Sequence, residues 1–313
     1  MSRILFSILI WIIASPAFTY PVSIDSCNRT VTFESSPQRA VSNDTNITEM
    51  MLVLGLEDNM VGYSGISNKG QIHPDLQSSL ADLQQISPEK ATVEDLLGVN
   101  ADFYFAGWNY GLKVNGDVTP HRLERFGIQV YELTESCIHL GPRPEISLED
   151  MYQDLLTLGK IFGIEDKAKS AVQDYRDEVT SFLSTLDITN EPLRVFVYDS
   201  GEENPFTAGI YAMPNALIKA AGGRNIFDDL EKSWTTVGWE GVIDRNPEII
   251  IIVNYGQVSA EQKRQFMLTH PAFQDIDAIR NDRFVVLEYN EATPGPRNIE
   301  ALKKLAAAFW NPT

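Results

Sequence analysis

The chain has 313 residues, a length that suits one large or two medium domains, and 43% of them are hydrophobic, enough for a sizeable core. Its 43 acidic and 25 basic side chains give a formal net charge of −18. So acidic a surface repels phosphate backbones and anionic lipid, which argues against nucleic acid as a partner.

Residues 1–17 read as a secretory signal. Arg3 supplies the positive start, residues 4–13 an apolar stretch too short to cross a bilayer, and Ser15-Pro16-Ala17 the small residues for cleavage. No cysteine near this site can carry a lipid, so the mature chain is expected to be free in an extracytoplasmic space. Cys27 and Cys137 are the two cysteines. In an oxidising compartment an even pair favours a disulfide, contributing about 4 kcal/mol for so long a loop; two buried thiols are the alternative.

Strands are predicted at 29–33 and 39–42. Thr45 then caps a helix that Gly55 stops, and a strand follows at 59–63. A helix at 92–97 with Thr92 and Asp95 at capping-box spacing leads to a strand at 102–106; a helix at 120–127 leads to a strand at 129–133. Strand and helix alternate, which points to a parallel sheet covered on both faces. An amphipathic helix covers 147–162. A second helical pattern over 167–186, about 20 residues or about 30 Å long, contains no Gly or Pro and reads as a connector. Beyond it the alternation restarts, with strands at 193–198, 248–253 and 283–287 and helices at 213–221, 260–268 and 297–310. The expected fold is α/β: two doubly wound lobes with mainly parallel sheets, joined by one long α-helix. The expected division is 18–165, 166–187 and 188–313.

One unit occurs twice. Lys90-Ala91-Thr92-Val93-Glu94-Asp95-Leu96-Leu97 precedes the strand at 103–106, and Thr236-Val237-Gly238-Trp239-Glu240-Gly241-Val242-Ile243 precedes the strand at 248–253. Only the second copy has an aromatic lead-in, Ser233-Trp234-Thr235. Two similar lobes imply a ligand between them.

Catalytic patterns are weak. Gly62-Tyr63-Ser64-Gly65-Ile66 begins like a nucleophile elbow but lacks the final Gly. No Gly-rich segment forms a phosphate loop, and His73, His121, His139 and His270 are scattered, which disfavours a metal held by protein ligands. The segments that follow strand ends carry the signal, because ligands of doubly wound sheets sit there. They hold Asn43 and Asp44; Ser64 and Ile66; Trp108, Asn109 and Tyr110; Asp199, Ser200, Phe206, Tyr211 and Met213; Tyr255; and Tyr289, Glu291, Thr293 and Arg297. Such a rim suits a sizeable, partly apolar ligand. Arg297 opens a helix, where the dipole disfavours a cation, so it answers a carboxylate on the ligand or on a neighbour such as Glu291.

Several stretches resemble the periplasmic substrate-binding proteins of ABC importers for iron–siderophore complexes, haem and cobalamin: Arg39-Ala40-Val41-Ser42 leading to Thr48-Glu49-Met50-Met51-Leu52-Val53-Leu54-Gly55-Leu56, Ser233-Trp234 through Pro247, His270-Pro271-Ala272-Phe273, and Arg280-Asn281-Asp282-Arg283. The resemblance implies two lobes on one long helix, a shallow cleft, a periplasmic location and no enzymatic activity. It also implies that Glu94 and Glu240, one per lobe, dock onto the membrane permease of the importer. The ligand set expected from the rim and the Trp-rich lead-in is Asn43, Ser64, Trp108, Tyr110, Phe206, Tyr211, Met213, Trp234, Tyr289 and Arg297, with the metal arriving inside its chelate and the protein acting as a monomer. Ferric catecholates need several arginines, and only Arg297 and Arg143 are at hand, so a ferric hydroxamate siderophore is the first expectation and cobalamin or haem the second. A binding protein for bare zinc or manganese and an exported enzyme on the same scaffold are the other classes.

Overall fold

The computed structural model describes residues 20–66, 72–188 and 191–310. The expected secretory signal lies outside the described residues. A hairpin of β1 (Val22–Ser26) and β2 (Arg29–Phe33) opens the N-terminal lobe. There follow β3 (Ala40–Asn43), α1 (Thr45–Val53), β4 (Met60–Ser64), α2 (Gln77–Leu80), β5 (Gln84–Ser87), α3 (Val93–Gly98), β6 (Phe103–Trp108), β7 (Gly111–Leu112), α4 (Pro120–Glu124) and β8 (Gln129–Glu132). Helices α5 (Leu148–Phe162) and α6 (Glu165–Leu183) come next. The C-terminal lobe holds β9 (Leu193–Tyr198), β10 (Phe206–Ala208), α7 (Met213–Ala220), β11 (Gly223–Asn225), β12 (Trp234–Thr236) and α8 (Trp239–Arg245). It ends with β13 (Ile249–Asn254), α9 (Ala260–Thr269), α10 (Asp277–Arg280), β14 (Phe284–Glu288), α11 (Tyr289–Ala292) and α12 (Asn298–Trp310).

The two lobes share one topology. Four strands run in the order β4-β3-β6-β8 in the first and β11-β9-β13-β14 in the second, and every neighbouring pair is parallel. The twin units occupy equivalent places, α3 before β6 and α8 before β13. Parallel strands covered on both faces can be apolar throughout, which is why Ile249-Ile250-Ile251-Ile252-Val253 is buried along its whole length. Three apolar clusters result. One lies under α3 and α4, one under α8 to α10, and the largest runs through the facing sides of both lobes and the helices between them.

The first sheet uses nothing after Glu132 and the second nothing before Leu193, so the chain passes between the sheets once. The long connecting helix is α6, beginning two residues earlier and ending three earlier than the 167–186 pattern. Gly163, at φ 70°, ends α5 in the left-handed region that favours glycine. A Cβ at Gly159 would lie 2.5 Å from Cβ of Ala168, so glycine is what lets α5 and α6 approach closely. Helix α5 packs on β1 and α1, whereas α6 packs on α12, and together they span the two lobes. Cys27 and Cys137 form a disulfide, with Cα atoms 5.2 Å apart, tying the hairpin turn to the segment after β8.

Candidate ligand cleft between the lobes

The carboxyl ends of both sheets meet at the lobe boundary. Asp44 ends the β3–α1 turn there with φ 83° and ψ 155°, a region that is almost exclusive to glycine and costs of order 1–3 kcal/mol for any other residue. The side chain is fully buried, accepts the N–H of Thr45 at 2.8 Å, and accepts the hydroxyl of Tyr289 from the other lobe at 3.1 Å. Nearby, Asn46 Nδ2 donates to the carbonyl of Pro294 at 2.6 Å. Burial pushes the Tyr289 hydroxyl well above the usual phenol range, and the charge of Asp44 adds to this. Tyr110 is raised in the same way by burial, then by Glu135 and Asp44. Burial also pushes Glu135 up to about 8, against the opposing charge of Arg143 and the backbone N–H of Met213. The floor is thus built from carboxyls and phenols. Asn43 Nδ2, Thr45 Oγ1, Asn46 Oδ1, Glu135 Oε1 and Asn290 Oδ1 are buried there without a hydrogen-bond partner. Buried polar atoms normally find partners, so such a concentration marks a place kept for something other than stability.

Glycine shapes the N-terminal wall. At Gly111 (φ 113°) a Cβ would lie 2.5 Å from the Tyr104 hydroxyl and 2.8 Å from Cγ of Asn43. Asn43 and Ser64 hydrogen-bond each other at 2.9 Å behind this wall and are fully buried.

The C-terminal wall is aromatic. Strands β10 and β12 pair antiparallel and stack Phe206 on Trp234, rings 5.9 Å apart. Tyr255 lies against Tyr289 at 5.0 Å. Lys263, itself buried, pins the Tyr255 loop by donating to the carbonyls of Val253 (2.7 Å) and Tyr255 (3.1 Å). Tyr211 and Met213 flank the start of α7, both buried. The rest of the Trp-rich stretch is core: Trp239 packs on Phe273 at 4.5 Å and Tyr198 at 5.5 Å.

Besides Asn43 and Ser64, buried behind the N-terminal wall, Trp108 and Arg297 are expected ligand contacts that are placed elsewhere. Trp108 is only 6% exposed, packs in the outer cluster of the N-terminal lobe, and donates its indole N–H to Glu132 at 2.8 Å. Its strand runs two residues past the expected end at 106 and includes Trp108 itself, so the ring packs on a face of the sheet and not in the loop beyond it. Arg297 finds its carboxylate within the protein, but in the other lobe and not at Glu291: its Nε lies 3.0 and 2.9 Å from the two oxygens of Glu49. Glu291 pairs instead with Lys304. Arg143 is likewise engaged, with Asp150 and the carbonyl of Thr134.

Sequence reasoning passed over Glu135, Glu49 and Asn290. Glu135 stands just past the end of β8, so the strand-end rule that produced the rim reaches it when applied to that strand. Glu49 sits mid-helix and gives no local sign of its partner. The four histidines do not converge: His73 lies 3.3 Å from Glu300, His139 contacts Asn109, His270 stacks on Phe273, and His121 is exposed on α4. Among the described residues, no group of three His, Cys, Asp or Glu side chains could hold a metal ion. Glu94 and Glu240 are both exposed in the first turns of α3 and α8. A helix that leads back to the start of a parallel strand begins near the strands' carboxyl ends, so each glutamate stands on that side of its own lobe.

The family of periplasmic binding proteins matches residues 41–290, which takes in both parallel sheets apart from Ala40, the first residue of β3. The chain belongs to that family. A cobalamin-binding protein of Halobacterium salinarum is 24% identical over 96% of this chain and 77% of its own length. A periplasmic binding protein from Veillonella parvula superposes with a TM-score of 0.81 at 29% identity, over 93% of this chain and 97% of that one. The structure of an ABC-type Fe3+-hydroxamate transport system from Saccharomonospora viridis gives 0.79 at 20% identity, over 93% and 99%. No helix of the binding protein's described residues is long and apolar enough to cross a membrane.

Proposed function

We propose that this binding protein works in the periplasm, captures an amide-bearing metal chelate of the corrinoid class between its lobes, and hands it to an ABC-type importer without chemical turnover. One observation carries the choice of ligand. The two arginines near the rim are engaged in internal ion pairs, whereas the buried oxygens of Glu135 and Asn290 at the cleft floor have no hydrogen-bond partner. Such a floor suits a ligand edged with N–H donors and repels a polyanionic ferric catecholate. The ferric hydroxamate reading relied on a free Arg297, which is paired with Glu49. The aromatic wall suits a broad, flat apolar face, and the cobalamin-binding relative spans nearly the whole chain. Glu94 and Glu240 are the docking points for basic pockets on the permease.

Tryptophan fluorescence of the mature protein, titrated with cyanocobalamin, a ferric hydroxamate, a ferric catecholate and haem, tests the reading. Saturable quenching by cyanocobalamin alone, through half-buried Trp234, is expected. Tighter binding of a ferric chelate overturns the corrinoid assignment, and silence across the panel overturns the chelate reading altogether.

A further inference from the structure

The strand registers bring one aspartate of each lobe to the same point. Strand β3 pairs with β6 as Ala40 with Phe103, and β9 pairs with β13 as Val195 with Ile249. Phe103 and Ile249 hold the same place in the repeated unit, because Glu94, Asn100 and Phe103 are spaced as Glu240, Asn246 and Ile249 are. Ala40 therefore corresponds to Val195, and Asp44 to Asp199. Each aspartate stands just beyond the carboxyl end of an inner strand, and a hydroxyl residue follows it, Thr45 in one lobe and Ser200 in the other.

Both are buried, Asp44 at 0% and Asp199 at 8% exposure, which is uncommon for a carboxylate. Asp44 accepts the Thr45 N–H at 2.8 Å and the Tyr289 hydroxyl at 3.1 Å, and it does so from a backbone conformation nearly exclusive to glycine. Asp199 accepts the Ser200 hydroxyl at 2.7 Å. Its own N–H donates to the carbonyl of Phe206 at 3.0 Å, next to the ring that stacks on Trp234. Each aspartate also has a fully buried threonine hydroxyl close along the chain or ladder that makes no hydrogen bond. These are Thr45 Oγ1, which follows Asp44, and Thr207 Oγ1, which follows Phe206 on β10. A buried carboxyl with an unused hydroxyl thus occurs at equivalent points of two lobes whose surfaces otherwise differ. Neither group is where fold stability alone would put it.

We propose that Asp44 and Asp199 are the specificity-determining acceptors of the cleft, one from each lobe, and that each takes a carboxamide N–H of the ligand. This rests on the reading of the ligand as an amide-bearing corrinoid. An ionised carboxyl only accepts and a threonine hydroxyl can donate, so the two together match both ends of a carboxamide. The amide reaches Asp44 by displacing the Tyr289 hydroxyl from it. A ligand carboxylate in the amide's place meets like charge in a buried site and is rejected.

Fluorescence titration compares cyanocobalamin with its monocarboxylates, each with one side-chain amide hydrolysed, for wild type, D44N, D199N and the double variant. The substituted amide carries no charge and can donate as well as accept. Wild type is expected to prefer cyanocobalamin to at least one monocarboxylate by about tenfold or more. In the double variant that preference should shrink to about twofold, while cyanocobalamin itself binds about tenfold more weakly. A merely structural role weakens every ligand alike, so an unchanged preference in the double variant overturns the proposal; so does a wild type that does not discriminate. If D44N does not fold, D199N and D44G decide, since glycine fits the backbone at that position, and a preference retained in both overturns the proposal. Wild type that ignores cyanocobalamin removes the corrinoid reading and the proposal with it. Wild type that binds it, with variants that keep the full preference, removes the proposal alone.

Discussion

The two lobes repeat one strand order with different surfaces at the same end of the sheet. In the first lobe that end is carboxylic and strained: Asp44 at φ 83°, Glu135 buried, Asn43 locked to Ser64. In the second it is aromatic, with Phe206 on Trp234 and Tyr255 on Tyr289. The second lobe has an extra ribbon, β10 with β12, on which Trp234 rides, and the Trp-rich lead-in that sets the second copy apart is that ribbon's returning strand. The helices after the lead-ins also differ. Helix α3 has a full capping box of Thr92 and Asp95, whereas α8 has no side-chain cap and is anchored by Trp239 in a cluster of aromatic rings. One strand order thus carries two different surfaces at the same end of its sheet.

The largest effect is expected where the lobes are most alike. Reversing both exposed glutamates, Glu94→Lys with Glu240→Lys, should abolish uptake through a reconstituted importer while ligand affinity stays within about twofold, because neither helix start needs its glutamate for folding beyond about 0.3–1 kcal/mol. Uptake that survives in the double variant removes docking from both lobes. If one single variant accounts for the whole loss, the equivalence of the lobes fails.

Next comes the pair that crosses between them. Arg297→Ala leaves Glu49, 1% exposed, as a buried charge without its partner, and should lower stability by about 3–5 kcal/mol in urea unfolding. A loss below about 1 kcal/mol means that the lobes do not depend on this joint. A smaller effect separates the two walls. Phe206→Ala should weaken binding of cyanocobalamin up to about tenfold by removing half of the Phe206–Trp234 stack, while Trp108→Phe should leave it unchanged. The opposite result would return Trp108 to the ligand face.

The smallest effect distinguishes the lobes by pH. Burial raises Asp154 from 3.8 to about 7 and Glu135 from 4.5 to about 8, and both belong to the N-terminal side of the cleft. Between the unfolded and folded values the folded chain holds a proton that the unfolded chain has released. Stability therefore falls as pH rises from about 4 to about 8 and levels off above, and the slope should be shallower in D154N. Unfolding midpoints measured across that range check the sign; a midpoint that rises with pH contradicts it.

The alternation of apolar strands with capped helices was legible along the chain, since each signal is local: Gly55 and Gly163 stop helices, Thr92 and Ser147 start them, and 249–253 can be apolar throughout only in a covered parallel sheet. The site was legible in outline only. Strand ends drew attention to Tyr110, Phe206 and Tyr289 and the repeated unit to Trp234, but which way a side chain turns depends on where its strand stops: the strand expected to end at 106 runs to Trp108, whose indole bonds Glu132 inside the N-terminal lobe.

The sequence by itself determined the duplicated α/β plan, the long connecting helix, the twin exposed glutamates and the pairing favoured for Cys27 and Cys137. Tertiary structure alone decided what Arg297 holds, where Glu135 is buried and which faces of the two lobes confront each other. Local patterns act over one helix turn or one strand. An ion pair between Glu49 and Arg297, or a hydrogen bond from Asn46 to the carbonyl of Pro294, joins residues that only the packing of two lobes brings within hydrogen-bond reach.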